Sequence, residues 1–79
     1  MPRLRHLPFE PSPVTPEELG KTIRRLREDR GLTQQQLAER LSITPPYLAM
    51  LEAGERRNPS LDIVRRLARA LKVPLNDLL

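Results

Sequence analysis

The stretch 33–54, TQQQLAERLSITPPYLAMLEAG, decides the fold. Thr33 is placed to cap a helix, with Gln36 three residues on to cap back. Leu37, Ala38 and Leu41 give that helix one apolar stripe. Ser42 and Ile43 form a corner. Thr44 caps a second helix, whose buried face is Leu48 and Leu51. The spacing predicts helices over about 34–41 and 45–53, and Gly54 ends the second. Helices this short are not stable alone in water, so the pair has to be held by others on both sides.

Those others are present in the sequence. Thr15, Pro16 and Glu18 combine a cap, a first-turn proline and a reciprocal glutamate. Leu19, Ile23 and Leu26 then follow at helical spacing, which predicts helix one over about 16–30, stopped by Gly31. Leu32 packs inward and delivers the chain to Thr33. After helix three, ERRNPS at 55–60 reads as a loop. Ser60 caps helix four, with a stripe of Leu61, Val64, Leu67, Ala68 and Leu71. Val73, Leu75, Leu78 and Leu79 belong to a last short helix begun near Pro74. Residues 15–79 therefore form one compact, all-α, five-helix domain with short loops. Residues 1–14, MPRLRHLPFEPSPV, hold four prolines and no periodicity, and read as an extended or disordered arm.

Composition narrows the function. With 79 residues there is room for one domain and a small core. A single Tyr, a single Phe and no Trp make that core aliphatic. No cysteine means no disulfide, thiolate nucleophile or thiolate metal site. The one histidine, His6, lies in the arm, so neither a metal nor another cofactor is expected. No apolar run approaches the roughly 20 residues that span a bilayer, and the N-terminus lacks a secretory signal, so a cytoplasmic protein with no membrane partner is the expectation. No Gly-rich phosphate loop, Cys–His pair or evident carboxylate pair suggests an enzyme. The net charge is +4, from 14 basic and 10 acidic side chains, and 12 of the 14 are arginine. That balance favours a polyanionic partner, and arginine suits phosphate because its planar fork donates two hydrogen bonds at once. A GC-rich genome would also enrich arginine. A short helix pair on a small basic domain commonly serves to place its second helix in the DNA major groove.

LGKTIRRLREDRGLTQQQLAERL at 19–41, YLAMLEAGERRNPSL at 47–61 and LARALKVPLNDLL at 67–79 together resemble the lambda-repressor-like, Cro/C1-type (XRE) helix-turn-helix family. The resemblance covers residues 16–79 and leaves only the arm aside. It implies a DNA-binding domain, although the family also includes members that use the scaffold for protein contacts. It implies that the amide of Gln34 holds a DNA phosphate beside the groove, where the helix N-terminus adds its dipole. It implies an ion pair between Arg27 and Glu52 that ties helix one to the end of helix three. It also implies glycine, with positive φ, at the corner where this chain has Ser42.

The residues themselves set the remaining expectations. A loop leaving the groove crosses the sugar-phosphate backbone, and Arg56, Arg57 and Asn58 suit phosphate oxygens there. With Leu48 and Leu51 inward, helix three presents Pro45, Pro46, Ala49, Met50 and Ala53, edged by Thr44 and Tyr47. Of these only Thr44 and Tyr47 can form side-chain hydrogen bonds, an unusual surface for reading base edges. Three readings stay open: apolar contact with thymine methyls aided by DNA shape, a protein partner on a Pro-Met face, or plain surface. Arg3 and Arg5 could enter a minor groove, or belong to a disordered tail. One such domain reaches few base pairs, so a homodimer on double-stranded DNA is expected, through Leu75, Leu78 and Leu79 with nearby helix four. The alternative is that these leucines close the monomer core. With Leu79 last, any effector is expected to act on this domain, on dimerisation or through a partner protein. A regulator of transcription is the leading expectation, with an antitoxin- or coactivator-like adaptor the alternative.

Overall fold

The computed structural model describes residues 15–55 and 59–78. Four α-helices and one 3₁₀ helix succeed one another among them: α1 (Pro16–Asp29), α2 (Gln34–Leu41), α3 (Pro45–Glu52), α4 (Leu61–Leu71) and the 3₁₀ helix Leu75–Leu78. There is no strand among the described residues. The fifth helical segment is thus a single tight turn and not an α-helix. It is too short for an α-helical hydrogen-bond ladder, and the Asp77 N–H instead reaches back three residues to the Pro74 carbonyl at 3.0 Å.

Each α-helix starts the same way. The side-chain oxygens of Thr15, Thr33, Thr44 and Ser60 accept the backbone N–H three residues on, at 3.0–3.2 Å. In α1 and α2 the third residue returns the bond, from the Thr15 N–H to Glu18 and from the Thr33 N–H to Gln36. Each also ends the same way. Gly31, Ser42, Gly54 and Lys72 all have φ between 57° and 78°. Their own N–H groups and those of the next residue fold back onto the last turn, as Ile43 to the Ala38 carbonyl and Val73 to the Ala68 carbonyl, both at 3.0 Å. The two glycines do this at no steric cost. Ser42 and Lys72 do not.

The core is aliphatic: Ile23, Leu37, Leu41, Leu48, Leu67, Leu71 and Leu78 are the large side chains wholly withdrawn from water. Two expectations are corrected here. Leu61 is 51% exposed. It is the first residue of α4, where no neighbouring helix covers the stripe. Leu78 is 2% exposed and packs in the core with α4 and α1 beneath it, so it has no surface to offer a second subunit. Leu75 is only partly buried, and Leu79 lies outside the described residues.

Two arginines answer helix C-terminal carbonyls that would otherwise lack partners. Arg30 Nε donates to the Leu71 carbonyl at 2.6 Å, joining the end of α1 to the end of α4. Arg66 Nη1 donates to the Leu41 carbonyl at 3.0 Å, joining α4 to the end of α2. The crossing of α1 and α3 is tight. A Cβ placed on Gly20 would lie 2.5 Å from the Glu52 carbonyl oxygen and 2.6 Å from that of Leu51. The end of α3 rests directly on the α1 backbone at that point.

Opposite outcomes are expected for glycine changes at these places. Gly20→Ala raises intrinsic helix propensity, yet should lower stability by about 1–3 kcal/mol because the methyl meets fixed carbonyls. Ser42→Gly and Lys72→Gly should each be neutral or stabilising by up to about 1 kcal/mol, the relieved left-handed strain being partly offset by unfolded-state entropy. Thermal melts of the three variants check both signs.

Candidate functional site

Helix α3 is clamped from beneath and open above. Leu48, Leu51 and Glu52 are its buried residues. Leu48 and Leu51 enter the core, whereas Glu52 turns toward α1 and α2. Arg27 Nε donates to Glu52 Oε2 at 2.6 Å and its Nη2 to Oε1 at 3.0 Å, a bidentate pair with both side chains almost fully covered. The remaining terminal nitrogen, Nη1, donates to the Leu32 carbonyl at 2.8 Å. Gln34 Nε2 supplies a further bond to Glu52 Oε1 at 3.0 Å. One buried carboxylate thereby gathers the last turn of α1, the loop after it, the start of α2 and the end of α3. The hydrogen bond to Glu52 raises the Arg27 guanidinium above its already high ordinary value, while burial works against it. Stability from a raised pKa is lost only as pH climbs through it, so the Arg27 guanidinium stays charged at and below neutral pH.

The open side of α3 carries Thr44, Pro45, Pro46 and Met50, all exposed, with Ala53 at its end. The two prolines fill the first two helical positions, where the missing N–H groups have no intrahelical partner anyway. Ala49 is half-buried. Tyr47 is half-buried too, with its side chain packed against the core, so it belongs as much to the support of the helix as to its surface. The Thr44 oxygen accepts the Tyr47 N–H at 3.2 Å, a bond that does not use its hydroxyl proton. What α3 displays is therefore a small, mainly apolar ridge.

Gln34 sits at the first position of α2, beside the foot of α3. Its amide nitrogen faces Glu52, and its burial is intermediate. Arg56, Arg57, Asn58 and the arm with Arg3 and Arg5 lie outside the described residues. So Gln34, Glu52 and the α3 ridge are brought together, whereas the loop arginines cannot be placed against them. Sequence reading missed Gly20 and the Leu32 carbonyl as parts of the support. The glycine had a detectable signal, as an otherwise costly residue inside a helix that is apolar on one face. The carbonyl had none.

Among the described residues no helix is long and apolar enough to cross a membrane, and no group of three or more His, Cys, Asp or Glu is placed to hold a metal ion.

Comparison with known proteins gives this geometry its context. Residues 23–78 match the model of the helix-turn-helix family HTH_3. The chain is 40% identical over 62 residues to the HTH-type transcriptional regulator DdrOP3 of Deinococcus deserti, a match covering 78% of this chain and 47% of that protein. The chain thus spans about half the length of the curated relatives it matches first. Among solved structures, the restriction-modification controller protein C.AhdI from Aeromonas hydrophila superposes with a TM-score of 0.76 at 33% identity, covering 81% of this chain and 96% of that one. The biofilm master regulator SinR, solved in complex with DNA, has a TM-score of 0.72 at 27% identity, covering 76% of this chain and 95% of that one.

Removing the carboxylate tests the clamp. Glu52→Ala leaves the Arg27 cation covered and without its partner, and frees Gln34 as well. The expected loss is about 3–5 kcal/mol in urea unfolding, the usual consequence of breaking one side of a buried pair. A loss below about 1 kcal/mol, the scale of a surface pair, would show that the clamp does not hold α3.

Proposed function

Since the chain belongs to the Cro/C1-type (XRE) helix-turn-helix family of transcriptional regulators, we propose that it reads specific DNA sequence with α3 and acts as a homodimer on a partly palindromic operator. The observation that carries the reading is the seating of α3. A buried ion pair fixes its angle from below, and its opposite side is left bare for a groove. That SinR was solved in complex with DNA supports the same use of the scaffold.

In this reading Pro45, Pro46, Ala49 and Met50 lie along the major groove, and their apolar groups meet thymine methyls. The Thr44 hydroxyl and the Tyr47 ring flank a base or phosphate. Gln34, at the N-terminus of α2, takes a phosphate through its amide. Arg56, Arg57 and Asn58 take further phosphates as the chain leaves the groove. With so few polar readers, sequence-dependent DNA shape supplies part of the specificity. Two copies placed about 34 Å apart extend the recognised site. They pair through Leu75, Leu79 and the neighbouring surface of α4, without the buried Leu78. Such a protein works in the cytoplasm.

One observation favours a second reading, in which α3 docks on a protein. Pro45, Pro46 and Met50 are exposed together, and methionine-bearing apolar surfaces adapt to protein partners.

Selection from a random oligonucleotide pool at about 150 mM salt should recover an inverted repeat; no enrichment would overturn the DNA reading. Met50→Arg should alter the selected bases. Unaltered bases with unchanged or tighter DNA binding would instead favour the protein-docking reading. Changing Arg56 and Arg57 together to alanine should weaken binding to all sequences alike. It should also flatten the slope of log K against log salt by up to about 1.8, at roughly 0.9 per lost phosphate contact. A slope that stays the same in the salt titration would remove the loop from the interface.

A further inference from the structure

The charge of this protein is unevenly spread. Arg3, Arg5, Arg56 and Arg57, against Glu10 alone, lie outside the described residues, so the described body is close to neutral. Within that near-neutral body, Arg40, Arg66 and Arg69 line one shallow depression with Ala70, about 170 Å³ in volume, between α2 and α4. No residue of α3 contributes to it.

An ordinary explanation would be that these cations offset the negative C-terminal ends of α2 and α4, since Arg40 and Arg69 stand in the last turns. The hydrogen bonds lessen that need, since six of the eight carbonyls in those last turns already have partners. The Leu41 carbonyl is taken by Arg66 and the Leu71 carbonyl by Arg30. The Ala38, Glu39, Ala68 and Arg69 carbonyls are taken by the backbone N–H groups of the two helix caps. Arg66 is further steadied by Asp62 at 2.8 Å. Arg40 and Arg69 have neither a side-chain hydrogen bond nor an ion pair to the other described residues, so the depression is lined by two arginines without an acceptor among the described residues, beside a third already held in place.

We infer that this depression is a binding site for the phosphate group of a small phosphorylated molecule, distinct from the α3 surface. Planar guanidinium forks on three arginines lining one concavity suit phosphate oxygens. The half-open, bowl-like shape suits a small anion. A ligand held by Arg40 on α2 and Arg69 on α4 would bridge the two helices.

The test is a titration of the full ¹⁵N-labelled chain with inorganic pyrophosphate at constant ionic strength, followed by amide and arginine Nε resonances. Saturable shifts are expected at Arg40, Arg66, Arg69 and Ala70. The double variant Arg40→Gln/Arg69→Gln removes no side-chain hydrogen bond or ion pair among the described residues and should bind at least about tenfold more weakly. Its affinity for duplex DNA should stay within about threefold of the original. Non-saturating shifts, or equal pyrophosphate affinity in the double variant, would overturn the site. A matching loss of duplex binding in the variant would overturn its separation from the DNA surface.

Discussion

The orientation of α3 hangs on a carboxylate that has been taken out of water. Glu52 receives two hydrogen bonds from Arg27 and one from Gln34, and Arg27 spends its last terminal nitrogen on the Leu32 carbonyl. A buried ion pair of this kind is a poor source of net stability, because desolvation consumes most of its Coulombic gain. Its value lies in direction. A bidentate fork tolerates little rotation, so the end of α3 cannot swing about α1 without stranding a charge. Gly20 completes the constraint. By bringing the α3 carbonyls against bare α1 backbone, it sets how near the two helices stand, while Arg27, two turns further along the same side of α1, sets the angle.

The other connections follow the same logic at lower cost. Four helices end in left-handed caps that satisfy their own last carbonyls, and Arg30 and Arg66 reach across the fold to take two more. The aliphatic core supplies the bulk of the burial, but aliphatic contacts are nondirectional. The polar bonds between helix ends restrict which of the compact arrangements persists. Three of the described arginines are thereby occupied structurally, which tempers any argument from arginine content to phosphate binding. Arg25, Arg40, Arg65 and Arg69 are free of such contacts among the described residues, and of these only Arg40 and Arg69 line the depression with Arg66.

A rigid support with an apolar ridge has consequences for recognition. Helix α3 offers methyl and methylene groups where base-reading helices usually offer amides or guanidinium groups. In the proposed reading, discrimination through such a surface is shallow per base pair, and specificity comes from doubling the domain, from backbone contacts and from DNA shape. The chain matches about half the length of DdrOP3, so the activity of the whole of that protein is not carried over with the fold.

Much of this was legible in the residues alone. The four caps, Thr15, Thr33, Thr44 and Ser60, marked the helix starts because a short hydroxyl before an apolar-periodic run satisfies orphan N–H groups locally. Gly31 and Gly54 marked two of the ends for the same local reason, and the apolar spacing named the inward residues of α1 to α3. Lys72 hid a left-handed end, since nothing in its chemistry signals that conformation. Leu61 kept the right spacing and still stayed in water, and Leu78 went into the core and not onto a partner. Spacing reports the direction in which a side chain points; whether something covers it is settled by neighbours distant in sequence. The pairing of Arg27 with Glu52 entered through likeness to a family, whereas its distances, the Gln34 bond and the close approach at Gly20 exist only once α1 and α3 cross. Local hydrogen bonding and periodicity are encoded within a few residues and are decided by the sequence. The angle and exposure of α3 depend mainly on contacts between residues 18 and more apart, which only the folded chain brings together.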